Sequence, residues 1–412
     1  MHTYHQLSTI ASHVGSSFYV FDRANLINNY HRFSESFRNH YKNTLVAYAF
    51  KANYALFVVN TIRNLGGLSE VVSTMEYDIA VSCNVSPEKI IFNGPVKSKE
   101  DLERAVVKQS MINLDSFYEL DLLQELNRKN AKFKSTQKNI GLRLNFQLDG
   151  KPLSRFGFTE NQLPVVIENV KRIKNLGITG LHCHLSTRDK SPETYKLIAE
   201  NMIRIAKDNL TNFNIEYIDL GGGYFGKIPE QLRKNFPGPI YEAAEYAEAI
   251  AGTFQSAFGN NGPTLIIEPG VSLVGDTMSY YTRVLEIKEV QSKRFALTHG
   301  SILHIKPTGG NSFQPFEVIT DNKNSLDTDF VYDISGNTCM EHDLLHENYR
   351  GNLEAGDFLM FPNKGAYTNV YKPPFIHYSP AIIEYTKDQI TILKRTETVD
   401  DILGTYTQNN EN

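Results

Sequence analysis

Lys51 closes an apolar run, LVAYAF over 45–50, that reads as a β-strand. A lysine that ends such a strand at the mouth of a barrel loses hydration, which lowers its pKa and makes the amine a usable nucleophile toward a carbonyl. On its own the residue reads first as a lysine snorkelling to solvent. Gly221, Gly222 and Gly223 follow the run IEYIDL. Successive glycines let backbone N–H groups approach a phosphate with no Cβ in the way, although a plain tight loop uses them too. Glu268, in IIEPG, ends another apolar run. A carboxylate there can keep a pyridine nitrogen protonated and so turn the ring into an electron sink, or it can be an exposed acid before a Pro-Gly turn. In LHCHLS, His182 and His184 alternate on one side of a strand, and His184 is placed to lie flat on such a ring. An H-x-H pair could also ligate a metal, but no third ligand stands near it in sequence and no metal is expected.

These groups can cooperate only if the chain brings the ends of several strands to one face. From about residue 45 short β-branched runs alternate with longer amphipathic segments. The strand candidates are LVAYAF (45–50), SEVVS (69–73), KIIFN (89–93), MINLD (111–115), IGLRLN (140–145), ITGLHCHLS (178–186), IEYIDL (215–220) and TLIIE (264–268). Between them lie helical patterns such as SKEDLERAVVKQ, SFYELDLLQELNRKNA, NQLPVVIENVKRIKNLG and SPETYKLIAENMIRIAKDNL, several opened by Ser or Asn as N-cap. This alternation predicts a (β/α)8 TIM barrel, with strands inside and helices outside. A doubly wound sheet is the competing α/β fold, but its Gly-rich loop would follow the first strand, where this chain has FKANY. In a barrel the chemistry gathers at the C-terminal strand ends, which here supply Lys51, Ser73 with Glu76, Asn93, Asp115, Arg143, His184, the three glycines and Glu268.

After Glu268 the texture changes to strand-like runs with Gly, Pro and Asn turns, among them YYTRVLEIKEV, RFALTHG, FEVIT, DFVYDIS, DFLMFP, PAIIEY and ITILKR. They predict a β domain. The opening SSFYVF is also strand-like and is expected to join it from the other end of the chain. The expected division is a strand segment over 1–25, a barrel over 26–268 and a C-terminal β domain over 269–412.

Composition narrows the function class. Lys and Arg total 42 against 46 Asp and Glu, so the chain has no basic surplus for nucleic acid, and a small molecule is the better partner. No window of about 18 apolar residues occurs and the N-terminus has no cationic-then-apolar pattern, so a soluble cytoplasmic protein is expected. Cys83, Cys183 and Cys339 are too scattered for a disulfide framework.

Taken together the motifs resemble the fold-type III pyridoxal-5'-phosphate (PLP) decarboxylases, the diaminopimelate and ornithine decarboxylase family, from about residue 15 to 385. These enzymes pair an alanine racemase-like barrel with a β domain. YAFKAN is similar to the family's Y-A-x-K-A-N and implies Lys51 as the cofactor lysine. SEVVSTMEY, similar to D-V-x-S-x-x-E, implies Glu76 as a cofactor neighbour, with Glu70 where aspartate is usual. INLDS and the L-R-x-N strand carrying Arg143 have counterparts too, and HCHLST implies His184 as the stacking histidine, with Ser186 where glycine is usual. DLGGGY and IEPG imply phosphate binding by Gly221, Gly222 and Gly223 and pyridine-nitrogen pairing by Glu268. In the β domain, GNTCMEHD resembles G-P-x-C-[DE]-x-x-D and implies that Cys339 reaches a partner subunit's active site to direct protonation after CO2 leaves. GAYT implies Tyr367 near the phosphate, and SRFG implies Arg155 paired with Asp343 across a homodimer whose active sites are shared.

The departures bear on substrate. Val271 stands where the family's E-P-G-R arginine contacts phosphate, and Met340 where an acidic residue meets the substrate's distal amine, with Glu341 following it. The arginine-containing strand for a distal carboxylate has no clear counterpart, and His304 and Lys306 could substitute. These changes favour decarboxylation of a modified or non-standard amino acid, as in siderophore-type pathways, over diaminopimelate itself. A racemase shares the fold but pairs the pyridine nitrogen with arginine. A non-catalytic regulatory relative would have no need to keep Lys51, the glycines, Glu268 and Cys339.

Overall fold

Eight parallel strands close on themselves: β1 (Thr44–Ala49), β2 (Leu68–Val71), β3 (Ile90–Phe92), β4 (Met111–Leu114), β5 (Lys138–Asn145), β6 (Leu176–His182), β7 (Tyr217–Asp219) and β8 (Thr264–Ile267). Each pairs with its sequence neighbour, and β8 pairs with β1, so no barrel edge is left open. This computed structural model describes residues 2–148, 154–185, 189–236, 238–307, 314–321, 330–371 and 375–407. The expected barrel is therefore present, strand for strand. The sixth and seventh strands end before their apolar runs do, at His182 and at Asp219.

Local sequence explains why helices start where they do. Ser98 opens the helix Lys99–Val107 with a capping box to Asp101, and Ser191 accepts from the Thr194 N–H at the head of Pro192–Asn209. Ser116, before Phe117–Lys129, makes no capping bond. Glu119, in its first turn, instead ties down the backbone outside the helix, accepting from the N–H of Asp115 at 2.7 Å and of Lys97 at 3.0 Å. Its charge is met by the Lys97 ammonium at 2.9 Å, both side chains being fully buried.

Inside the barrel, Tyr217 on β7 crosses to β4, where its hydroxyl donates to Asn113 Oδ1 at 2.8 Å. The room comes from two strand glycines. A Cβ on Gly180 would stand 1.9 Å from the tyrosine ring, and one on Gly141 would stand 1.8 Å from the Asn113 oxygen.

The chain divides into two units, and the barrel unit comprises Leu26–Gly226 and Pro237–Leu273. The other, made of Met1–Asn25, Lys227–Phe236 and Val274–Asn412, is built on a nine-stranded sheet. Its long strand Met278–Val290 pairs antiparallel with Ser17–Phe21, which in turn runs parallel to Ala381–Thr386. Helix Tyr4–Val14 covers this seam, burying Leu7 and Ile10 against Phe18, Tyr281, Phe358 and Ile383. Strand Leu344–Gly351, at the sheet's edge, has no counterpart in the sequence reading.

The Lys97–Glu119 pair yields a stability test. Glu119→Ala should lower unfolding free energy by about 3–5 kcal/mol, because it strands a buried ammonium and two backbone donors. The Lys97→Met/Glu119→Gln double variant should recover most of that loss in denaturant titrations. A Glu119→Ala protein as stable as wild type would refute this account.

Candidate active site

Lys51 lies on the 3₁₀ turn Phe50–Ala52 that ends β1, with its side chain about one third exposed. Its Nζ donates to Glu70 Oε2 at 2.6 Å, from a carboxylate that points into the barrel from β2. The other oxygen, Glu70 Oε1, accepts from Asn93 Nδ2 at 3.1 Å, and the same amide nitrogen reaches Glu268 Oε1 at 2.5 Å. Asn93 is itself fixed by Asn113 Nδ2, which donates to its Oδ1 at 2.8 Å. Lys51 and Glu268, from the first and last strands, thus belong to one hydrogen-bonded chain whose middle members are Glu70 and Asn93.

Charge in this chain is unevenly shared. Burial, then the charge of Glu268, pushes the Glu70 carboxyl up to about 7, with Lys51 pulling the other way. Burial opposes ionisation of Glu268 too, but His182 and Lys51 overcome it and hold that carboxyl well below its usual range. Asp219, fully buried at the end of β7, is raised far above the ordinary aspartate value by burial and by Glu268. Its Oδ1 accepts from Gly221 N at 2.9 Å. Asp219 keeps its proton, and Glu268 carries the charge.

The histidines divide their work. His182 is buried with its Nε2 3.7 Å from Glu268 Oε1, and neither ring nitrogen has a hydrogen-bond partner. Burial lowers its pKa. His182, Asp219 and Glu268 place ligand-capable atoms within 4.8 Å of one another, acidic company for the H-x-H pair that sequence order concealed. His184 is half-buried, and its Nδ1 accepts from Gly222 N at 3.0 Å. Burial and the neighbouring Lys51 depress it to about 3, so the ring is neutral and its orientation is set by the glycine turn.

That turn tolerates no side chain. Gly221 and Gly223 have φ of +66° and +102°, and a Cβ on Gly222 would stand 2.1 Å from the Glu268 carbonyl oxygen. A lysine amine, an anionic carboxylate on the same polar chain, a fixed neutral imidazole and a Cβ-free turn are the groups that an aromatic aldehyde with a ring nitrogen and a phosphate requires. The residues present fit PLP.

Other expected residues have local duties. Glu76 Oε2 accepts from Val72 N at 2.7 Å at the head of its own helix, and burial raises its pKa. Arg143 pairs with Asp115 at 2.9 Å and lies over Phe156, whose ring also carries the exposed Arg155. Val271 opens a short turn, Val271–Val274, while Ser186 falls outside the described residues. In the β unit Cys339 and Glu341 are exposed, Met340 is half-buried, and Tyr367 takes a left-handed φ of +52°. His304 is buried, with Nδ1 2.9 Å from the Tyr280 hydroxyl, so the role expected of it toward substrate competes with a structural one. Asp343 differs most from expectation. It is buried and accepts from Ser301 Oγ, Ile302 N, Thr338 N and Thr338 Oγ of its own unit, which leaves little for an intersubunit arginine.

Sequence reasoning missed Asn113, Tyr217 and Asp219 as parts of the site and read Glu70 only as a departure. A polar residue on an otherwise apolar barrel strand was the available signal.

Residues 23–275 match the pyridoxal-binding domain of the pyridoxal-dependent decarboxylases. The chain is 26% identical to the diaminopimelate decarboxylase of Methanothermobacter thermautotrophicus over 96% of its own length and 92% of that protein's. With the enzyme of the same name from Aquifex aeolicus the identity is 27%, over 88% of this chain and 84% of the other. The crystal structure of diaminopimelate decarboxylase from M. jannaschii superposes with a TM-score of 0.82 at 24% identity, covering 98% of this chain and 94% of that one. Gly222→Ala should weaken retention of PLP by at least about tenfold, read from the cofactor absorbance that survives dialysis, while far-ultraviolet circular dichroism stays unchanged. Full retention would show that the turn does not cradle the cofactor. The chain belongs to the pyridoxal-dependent decarboxylase family: it is a carboxy-lyase acting on an amino acid, and its cofactor is PLP.

Proposed function

We propose that this enzyme removes a carboxylate as CO2 from the α-carbon of diaminopimelate. The observation that carries the reaction is the linked Lys51–Glu70–Asn93–Glu268 chain at the barrel mouth. The substrate is suggested by relatives named diaminopimelate decarboxylase, whose likeness runs along nearly the whole chain. That weighs more than the departures at Val271, at Met340 and in the strand without its arginine, from which the sequence alone favoured a modified substrate.

When bound, PLP supplies the electron sink into which the bond to the departing carboxylate can break. The protein's own groups do the rest. Lys51 provides the amine that carries the cofactor, and Glu70, 2.6 Å away, is a base that can take or return its proton. Glu268, kept anionic, would hold a proton at the ring nitrogen of the bound cofactor, and Asn93 fixes the direction of its carboxylate. His184 offers the face of its ring, locked by Gly222 N. Gly221, Gly222 and Gly223 present a backbone against which phosphate oxygens can lie. The α-carbon then regains a proton, for which we assign Cys339 of a second copy as donor, in a homodimer with shared sites. Exposure of Cys339 on the β unit supports this assignment, and three free cysteines fit a reducing cytoplasm.

A second reading, a modified or siderophore-type substrate, is favoured by Met340. A thioether in that place offers no charge to a distal ammonium, and Glu341 is the only carboxylate beside it.

Lys51→Ala should reduce turnover by about a thousandfold or more and abolish the borohydride-sensitive absorbance of the holoenzyme. Undiminished turnover would end the proposal. In a panel of diaminopimelate, ornithine, lysine and carboxylate-bearing conjugates of diamino acids, CO2 release should be fastest from diaminopimelate, and a faster conjugate would give the second reading precedence. Co-expressed Lys51→Ala and Cys339→Ala chains should recover about a quarter of wild-type activity if subunits complete each other's sites. No recovery would refute the shared-site dimer.

A further inference from the structure

The glycine turn after β7 is held from the helix side by a tyrosine. Tyr195, near the head of helix Pro192–Asn209, is 1% exposed, and its hydroxyl donates to the Gly222 carbonyl at 2.9 Å. Tyr224 and Tyr246 lock its ring, with centroids 4.9 Å and 5.4 Å away. Burial keeps the hydroxyl protonated, so it remains a donor. The fit is close, since a Cβ on Gly223 would stand 2.6 Å from the same oxygen.

What this bond fixes is a direction. Across a planar trans peptide the carbonyl of one residue and the N–H of the next point to opposite sides. The first peptide of the turn obeys this: the Gly221 carbonyl accepts from Glu268 N at 2.8 Å, and the Gly222 N–H goes the other way, to His184 Nδ1 at 3.0 Å. At the second peptide Tyr195 draws the Gly222 carbonyl toward the helix, so the Gly223 N–H is turned away from it. The N–H groups of Gly221 and Gly222 are already taken, by Asp219 Oδ1 and by His184. Gly223 is the exposed member of the three, and no acceptor for its N–H lies among the described residues.

We propose that Tyr195 is a positioning residue for PLP: by holding the Gly222 carbonyl it aims the Gly223 N–H at an oxygen of the cofactor's phosphate. This rests on the reading of the turn as the phosphate's cradle and narrows it, since the other two glycine N–H groups serve Asp219 and the His184 ring. Without the hydroxyl the buried Gly222 carbonyl loses its partner, and the second peptide is free to rotate until the Gly223 N–H no longer faces the phosphate. Tyr246 differs in what it holds. It spends its hydroxyl on the Lys190 carbonyl at 2.7 Å and meets the chain after the glycines only at Phe225 N, 3.5 Å away.

Binding measurements test this without relying on turnover. Full-length wild type, Tyr195→Phe and Tyr246→Phe, freed of cofactor, are titrated with PLP and with pyridoxal, which lacks the phosphate. Tyr195→Phe should lose about threefold to thirtyfold in affinity for PLP and nothing for pyridoxal, while Tyr246→Phe keeps the wild-type ratio of the two affinities. A wild-type ratio in Tyr195→Phe overturns the proposal, even where the variant melts earlier, because a tyrosine serving only the fold would give that result. An equal loss of ratio in Tyr246→Phe overturns it too, since packing of the ring cluster and not the bond to Gly222 would then be responsible. Should Gly222→Ala lose PLP while Tyr195→Phe does not, the cradle stands and Tyr195 has no part in it. Should Gly222→Ala retain PLP, the cradle itself is refuted and the proposal falls with it. A measurement that needs no Tyr195 variant uses wild type carrying isotope-labelled glycine: the Gly223 amide resonance should move downfield with PLP and not with pyridoxal, and a resonance that stays in place overturns the proposal.

Discussion

Three buried carboxyl groups, Glu70, Asp219 and Glu268, sit within one end of one barrel, and they cannot all be ionised there. At an effective dielectric of about 20, two such charges about 4 Å apart repel by several kcal/mol, before any desolvation is counted. The structure resolves this with one strong base and a set of directed donors. Lys51 stands against Glu70, Asn93 donates to Glu70 and Glu268 together, and Asn113 and Tyr217 hold Asn93 so that its amide nitrogen, not its oxygen, faces the acids. An inverted Asn93 would set an acceptor against two acceptors. The tyrosine at the far end of the chain therefore determines how the carboxylates are met, and the glycines at 141 and 180 are there because the tyrosine needs their space.

This explains which parts of the site were legible in the sequence. Lys51, Glu268, His184 and the glycine run stand at strand ends, where local pattern shows both the strand and the residue that terminates it. All eight strands were recovered because a parallel barrel buries each on both faces and so writes them as apolar runs. Asn113, Tyr217 and Asp219 lie inside such runs. Asn113 and Tyr217 matter through each other, 104 residues apart, and Asp219 through Glu268 on the neighbouring strand, which no local period encodes. Glu119 was hidden for a different reason. It reads as one more polar residue at the start of an amphipathic helix, and only burial reveals that it holds the backbone of Asp115 and Lys97 and the Lys97 ammonium.

The β unit was less legible. LLHENYRG alternates poorly and is rich in polar groups because it forms an edge, exposed along much of its length, so strand Leu344–Gly351 carries little of the pattern that identifies buried strands. Asp343 illustrates a related limit. A motif fixes that an acid is present, but whether it faces a partner chain or its own turn depends on donors such as Ser301 and Thr338, which lie in other segments.

Within the carboxyl cluster, nearby positive charge decides which acid ionises. Glu268 accepts from Asn93 Nδ2 at 2.5 Å, and His182 and Lys51 hold its carboxyl down, whereas Asp219 accepts from one backbone donor, Gly221 N, and is raised by burial and by Glu268. Positive charge stabilises an anion, so Glu268 ionises in preference to its neighbour. The same asymmetry assigns their roles. A protonated Asp219 is electrically quiet and serves as support for the glycine turn, while the charged Glu268 is the group able to hold a proton on a nitrogen placed before it. Exchanging these surroundings between the two acids would move the negative charge from the end of the eighth strand to the end of the seventh, and the polar chain that begins at Lys51 would then end at a neutral group.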